Sequence, residues 1–210
     1  MFRYYYLKYS LLLIMLASTF AYSHPHSFIT LKTSFYIQND QLSRLHLVWT
    51  MDELTSSYLQ IEYQQNPTQT LTDLVNNIAE NNIFSEFSIM TNGKKLPIEI
   101  TLQKEEAALT FNNHKATVDF WLNLKHPLPI SNSKFELMTY EKTFYVDMYY
   151  EQDSDITINH NNCKIIIDKP KPSDEILNYA QALDENETAI ETDSFVLGKI
   201  FSQKVLVSCK

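Results

Sequence analysis

The sequence predicts an α+β fold, mainly antiparallel β-sheet with a few short helices. Three observations lead there. Runs in which apolar and polar residues alternate recur along most of the chain. After Thr70 the spacing changes to a helical one, with Leu71, Leu74, Val75 and Ile78 on one face. No internal repeat of the kind that marks a solenoid is present.

The first segment, residues 1–23, reads as a cleavable export signal. Arg3 and Lys8 make a basic start, Leu11 to Phe20 form an apolar run too short to span a bilayer, and Ala21-Tyr22-Ser23 offers small residues to a signal peptidase. No cysteine lies near the cut to accept a lipid. Residues 24–210 then form one continuous domain without stable membrane insertion, long enough to bury a core.

Within that domain, strands are expected at 27–37 and 43–51, followed by a short helix at 53–61. The main helix starts at Thr70, with Asp73 completing its start signal. Further strands are expected at 86–91, 95–102, 107–111, 116–124, 134–139, 143–150, 155–159 and 163–168. Residues 169–193, rich in Pro, Asp and Glu, read as a surface excursion with a helix at 173–182, and a last helix is expected at 194–202. With only two glycines, Gly93 and Gly198, turns fall to Asn, Asp and Pro, as in Gln38-Asn39-Asp40-Gln41, Asn92-Gly93 and Asn112-Asn113-His114.

The same shortage excludes a P-loop, a dinucleotide-binding glycine fingerprint and a GxSxG nucleophile elbow. The net charge of −8 becomes more negative once Arg3 and Lys8 leave with the signal, which disfavours nucleic acid as a partner and suits cations. Such a balance also serves simply to keep an exported domain in solution.

The first two strands allow a register argument. Ile29, Leu31, Phe35 and Ile37 form one apolar set; Leu45, Leu47, Trp49 and Met51 form the other. An odd-length loop, Asn39 to Gln41, pairs Leu31 with Trp49 and Ile29 with Met51, which puts Asp52 opposite Phe28. On the face away from the core His26 then lies diagonally beside Asp52, with His24 one pleat further on. His46 shares that face but is six residues from Asp52, roughly 20 Å along the strand, and drops out of the site.

Export places His24-Pro25-His26 at or near the mature terminus. Cleavage after Ser23 frees a terminal amine and imidazole on His24, a chelate suited to copper. Pro25 lacks the amide proton that a square-planar terminal copper or nickel motif requires, whereas a cut after Ala21 restores that motif through Tyr22-Ser23-His24. Two imidazoles with a carboxylate suit Zn²⁺, Ni²⁺, Co²⁺ or Cu²⁺ in an open, exchangeable site. The competing reading is that the histidines are solvated and that Asp52 and Glu53 open the following helix as favourable charges. His114, His126 and His160 sit in turn-like stretches and are expected at the surface. Asp119 and Asp147 lie inside strands, facing solvent, with Asp147 a further candidate ligand. The aromatic run Phe144 to Tyr150 reads as sheet packing.

Cys163 and Cys209 are the two cysteines. In an oxidising compartment they read as one disulfide, and closing a loop with a sequence separation of 46 stabilises the fold by about 4 kcal/mol on the chain-entropy model. The alternative, a pair of metal-binding thiolates, lacks CxxC spacing.

Taken in order, His24-Pro25-His26, Val48-Trp49-Thr50-Met51-Asp52-Glu53, Thr143-Phe144-Tyr145-Val146-Asp147, Cys163, Leu197-Gly198-Lys199-Ile200-Phe201 and Val207-Ser208-Cys209 resemble the landmarks of the DUF1007 family, exported bacterial proteins labelled as periplasmic transport components. The resemblance implies a role in transition-metal handling beside NicO-type nickel/cobalt permeases or in zinc uptake, with no settled catalytic activity. It carries the family's His-Pro-His onto His24 and His26, its Trp-x-x-Asp-Glu onto Trp49, Asp52 and Glu53, and its paired cysteines onto Cys163 and Cys209. One departure stands out: Glu141-Lys142 occupies the place of the family's Asp-Pro.

The expected function is therefore a periplasmic accessory protein, not an enzyme. It binds zinc or nickel/cobalt through His24, His26, Asp52 and Asp147 and delivers it to an inner-membrane permease. A copper histidine-brace oxidoreductase and a metal-free envelope interaction module are the other readings.

Overall fold

The computed structural model of the chain describes residues 25–91, 93–183, 192 and 195–210, so the segment expected to be an export signal and His24 lie outside the described residues. The fold is α+β and mainly antiparallel, as the alternation requires. One sheet is built from β1 (Ser27–Gln38), β2 (Gln41–Met51), β5 (Ile100–Asn112), β6 (Lys115–Pro129), β8 (Val146–Tyr149) and β9 (Ile156–Ile158). Its six strands run in the order β5-β6-β2-β1-β8, with β9 also pairing β1. The other is built from β3 (Ser85–Thr91), β4 (Lys94–Pro97), β7 (Lys134–Thr139), β10 (Cys163–Asp168) and β11 (Lys204–Cys209). Its order is β10-β11-β7-β3-β4.

One hydrophobic cluster draws on both sheets. Leu31, Phe35, Leu45, Leu47 and Trp49 meet Val118, Phe120 and Leu122 of β6, and Phe87, Phe135, Leu137, Val205 and Val207 of the second sheet close over them. Two helices follow β2: α1 (Glu53–Gln65) and α2 (Pro67–Glu80). Helix α2 presses Val75 and Ile78 into the core, with Leu71 and Leu74 alongside. A satellite cluster gathers Phe144 with Ala180 of α3 (Asp174–Ala182), Leu183 and Leu197 of α4 (Leu197–Phe201). No described helix is long and apolar enough to cross a membrane.

The β1–β2 register is the expected one, Leu31 opposite Trp49 and Ile29 opposite Met51, but the connection differs. Asn39 and Asp40 both have positive φ, 51° and 57°, and make a two-residue turn whose twist matches the hairpin. The odd residue sits inside β2 as a bulge, where the register shifts after Tyr36.

Other boundaries also move. Helix α2 starts at Pro67, capped by Asn66, whose side chain accepts the Gln69 N–H; Thr70 is already inside the first turn. The stretches expected at 95–102 and 107–111 belong to β4 and one long β5, and the mostly charged residues 104–107 form a bulge opposite β6. Strand β8 begins only at Val146, because 141–145 is a loop in which Phe144 has φ 62°. The last helix is shorter than 194–202, and β11 follows it as an interior strand that the element pattern leaves unassigned. In β11 Val205, Val207 and Cys209 alternate inward. Cys163 and Cys209 are register partners across β10 and β11 and form the disulfide.

Candidate functional site

The start of β1 is held on both sides. Asp52, the residue after β2, donates its backbone N–H to the Phe28 carbonyl at 2.9 Å, so it lies opposite Phe28 as the register demands. On the other side β8 runs parallel to β1 and pairs Phe28 with Asp147. Asp52, Phe28 and Asp147 are thus consecutive across three strands. The alternation of the strand puts His26 and Phe28 on the outward face, and cross-strand partners share a face, so Asp147 joins them.

The two carboxylates have different surroundings. Asp52 is the N-cap of α1 and accepts four hydrogen bonds: from the Thr55 N–H at 2.8 Å, the Phe28 N–H at 2.8 Å, the Ser27 hydroxyl at 2.8 Å and the Thr55 hydroxyl at 3.0 Å. Burial pushes its carboxyl up, but the donors from Phe28, Thr55 and Ser27 outweigh that and hold it below the usual carboxylate range. Three of these donors converge on Oδ2 and one, the Thr55 N–H, reaches Oδ1. Asp52 thus turns toward Ser27 and caps the start of α1. Asp147 is half-buried, receives no hydrogen bond among the described residues, and burial pushes its carboxyl above the usual range.

His26 is fixed by its backbone and its ring. Its N–H donates to the Tyr145 carbonyl at 2.9 Å, and its imidazole lies on the Tyr145 ring with centroids 4.7 Å apart. The sequence pattern assigns Tyr145 to sheet packing, yet it is 46% exposed and forms the floor beside the imidazole. Its position depends on Glu141, which sequence reasoning registers only as a departure. The Glu141 carboxylate accepts the Thr143 N–H at 2.9 Å, the Thr143 hydroxyl at 2.7 Å and the Tyr145 N–H at 2.9 Å. A side chain that satisfies its own loop in this way fixes the loop's shape.

Gly198 completes the arrangement. A Cβ there would sit 1.7 Å from the Glu141 carbonyl oxygen, and the Gly198 N–H donates to the Lys142 carbonyl at 2.9 Å. Phe144, whose positive φ is unusual for a bulky residue, points into the satellite core and stacks on Phe201 at 4.1 Å. The segments around Trp49, Thr143 and Leu197 thus converge on the strand that carries His26.

The remaining expected positions fall elsewhere. His46 stacks on Trp121 at 4.5 Å with Nε2 3.4 Å from Asp119, on the outward face and away from Asp52. His114 and His126 are exposed as expected, whereas His160 is part-buried and has partners. Among the described residues no group of three or more His, Cys, Asp or Glu stands ready to hold a metal ion; His24 lies outside them.

Fold and site together define the class: a two-sheet α+β domain that offers an imidazole and a carboxylate on the outward face where its first strand begins. The chain belongs to the DUF1007 family, described as a protein of unknown function, whose model matches residues 9–209. It is also similar to a protein of Haemophilus influenzae described as uncharacterized, 31% identical over 209 residues covering 96% of this chain and 98% of the relative.

Proposed function

We propose that this is a periplasmic accessory protein that captures a divalent transition metal, zinc or nickel/cobalt, and presents it to an inner-membrane permease of the NicO type. The observation that carries the reading is the placement of Asp147 opposite Phe28, which puts its carboxylate on the same face as His26 at the start of β1. A half-buried carboxylate with open lone pairs lies diagonally across from an imidazole on the outward face. Burying such a group unpaired is unfavourable, and a cation offsets that cost. His24, two residues before His26, supplies the second imidazole, and the terminal amine a further donor if cleavage follows Ser23. Asp52 fixes the strand end and the helix rather than ligating.

A set of nitrogen and oxygen donors without thiolate suits zinc, nickel or cobalt and releases its ion readily, as transfer requires. Calorimetric titration of the processed, metal-free protein with Zn²⁺, Ni²⁺ and Cu²⁺ tests this. One equivalent of Zn²⁺ or Ni²⁺ is expected to bind, and His26→Ala and Asp147→Asn each to weaken it at least tenfold with the circular dichroism unchanged. Full stoichiometry and affinity in the double variant His24→Ala/His26→Ala would end the reading. Preferential Cu²⁺ binding with a type 2 paramagnetic spectrum would instead favour the copper oxidoreductase.

A further inference from the structure

The disulfide has a histidine beside it. His160 Nδ1 lies 3.8 Å from the Cys163 sulfur, and Cys163 and Cys209 face each other across β10 and β11. The Asn162 N–H donates to the same Nδ1 at 3.3 Å, so this nitrogen carries a lone pair and the ring proton is on Nε2. Nε2 in turn lies 3.5 Å from Asp40 Oδ1. With a carboxylate 3.5 Å from one ring nitrogen and sulfur beside the other, a small shift of the exposed Asp40 side chain would complete the arrangement that orients a metal-bound histidine.

We infer that the Cys163–Cys209 pair with His160 is a second, redox-gated site for a soft or borderline cation such as Zn²⁺, closed as the disulfide and opened by reduction. A dithiol reductant supplies two electrons and two protons. The S–S bond breaks to two thiols, and the reductant leaves as its own disulfide. The cation then displaces both thiol protons, the Asn162 N–H releases its 3.3 Å hydrogen bond to His160 Nδ1, and the freed lone pair joins the two thiolate sulfurs on the ion, with a fourth position left for water. The spacing fits: Zn–S of about 2.3 Å and Zn–N of about 2.05 Å give a tetrahedral S···N edge of about 3.6 Å, close to the separation already present.

The sheet preserves the site when the bond is cut. Six register pairs join β10 to β11, and β11 is also paired along its length with β7, so the cysteines stay opposed without the covalent link. Cys209 is buried and Cys163 partly so, while the His160 side chain keeps 23% exposure, an entry for the ion. This place is remote from His26. The 12 residues of β1 separate His26 from the turn residue Asp40, about 40 Å for an extended strand.

Cobalt titration tests the inference, with His24→Ala/His26→Ala as the background to silence the terminal site. After reduction by a dithiol that is then removed, one equivalent of Co²⁺ is expected to bind with a thiolate-to-cobalt charge-transfer band in the near ultraviolet and strong tetrahedral visible bands; the oxidised protein shows neither. His160→Ala is expected to lower the affinity at least tenfold. Asp40→Asn, which the turn tolerates, lowers it by a smaller factor. Absence of the charge-transfer band in reduced protein, equal affinity in His160→Ala, or loss of the folded far-ultraviolet spectrum on reduction that the metal does not restore would each overturn it.

Discussion

Asp52 and Asp147 flank the same residue, Phe28, and respond oppositely to acid. The folded pKa of Asp52 is lowered, so its contribution to stability is present above the unfolded value of about 3.9 and is lost as the pH falls through the folded one. The folded pKa of Asp147 is raised, so stability is fullest below the unfolded value and declines as the pH rises through the folded one. Asp52→Ala is therefore expected to cost about 1–2 kcal/mol in urea denaturation at pH 7, through the lost cap and the donors left behind. Asp147→Asn is expected to raise the melting temperature at pH 7, a gain that disappears below about pH 4, while weakening metal binding. The position of Asp52 is legible in the sequence because hairpin register is a local property. The ranking of the two carboxylates is not, since the pairing of Asp147 with Phe28 is set by a parallel contact from the far half of the chain, and no period or spacing encodes it.

Among the elements, those with long alternation are legible: β1, β2, β6, β7 and β10, and the apolar face of α2. Differences arise where short-range chemistry overrides the pattern. Asn66-Pro67 starts α2 before the apolar face does, and the charged run 104–106 hides the continuity of β5 as a bulge. Strand β11 is six residues long, follows closely on α4, and is told from a frayed tail only by its place between β10 and β7. The loop 141–145 is the least legible, because its shape depends on a side chain satisfying its own backbone and on a glycine far along the chain. Helix α4 can approach that loop only without a Cβ at position 198. Gly198→Ala is accordingly expected to destabilise by about 3 kcal/mol. Because the displaced loop carries Tyr145, metal affinity should fall as well, which calorimetry on the folded fraction would detect.

For the molecule as a whole, the disulfide ties the last strand to β10, and reduction is expected to remove about 4 kcal/mol on the chain-entropy model, read as a lower urea midpoint. The parallel pairing of β1 with β8 and β9 has a different consequence. The strand bearing His26 can gain its second neighbour only after most of the polypeptide has emerged and folded, a contact of high sequence separation that forms late. Until β8 docks, the face that carries the imidazole lacks the Asp147 carboxylate. On the proposed metal-carrying reading, readiness to take up an ion would then be a signature of maturity, and unfinished molecules would be spared from sequestering ions they have no means to pass on.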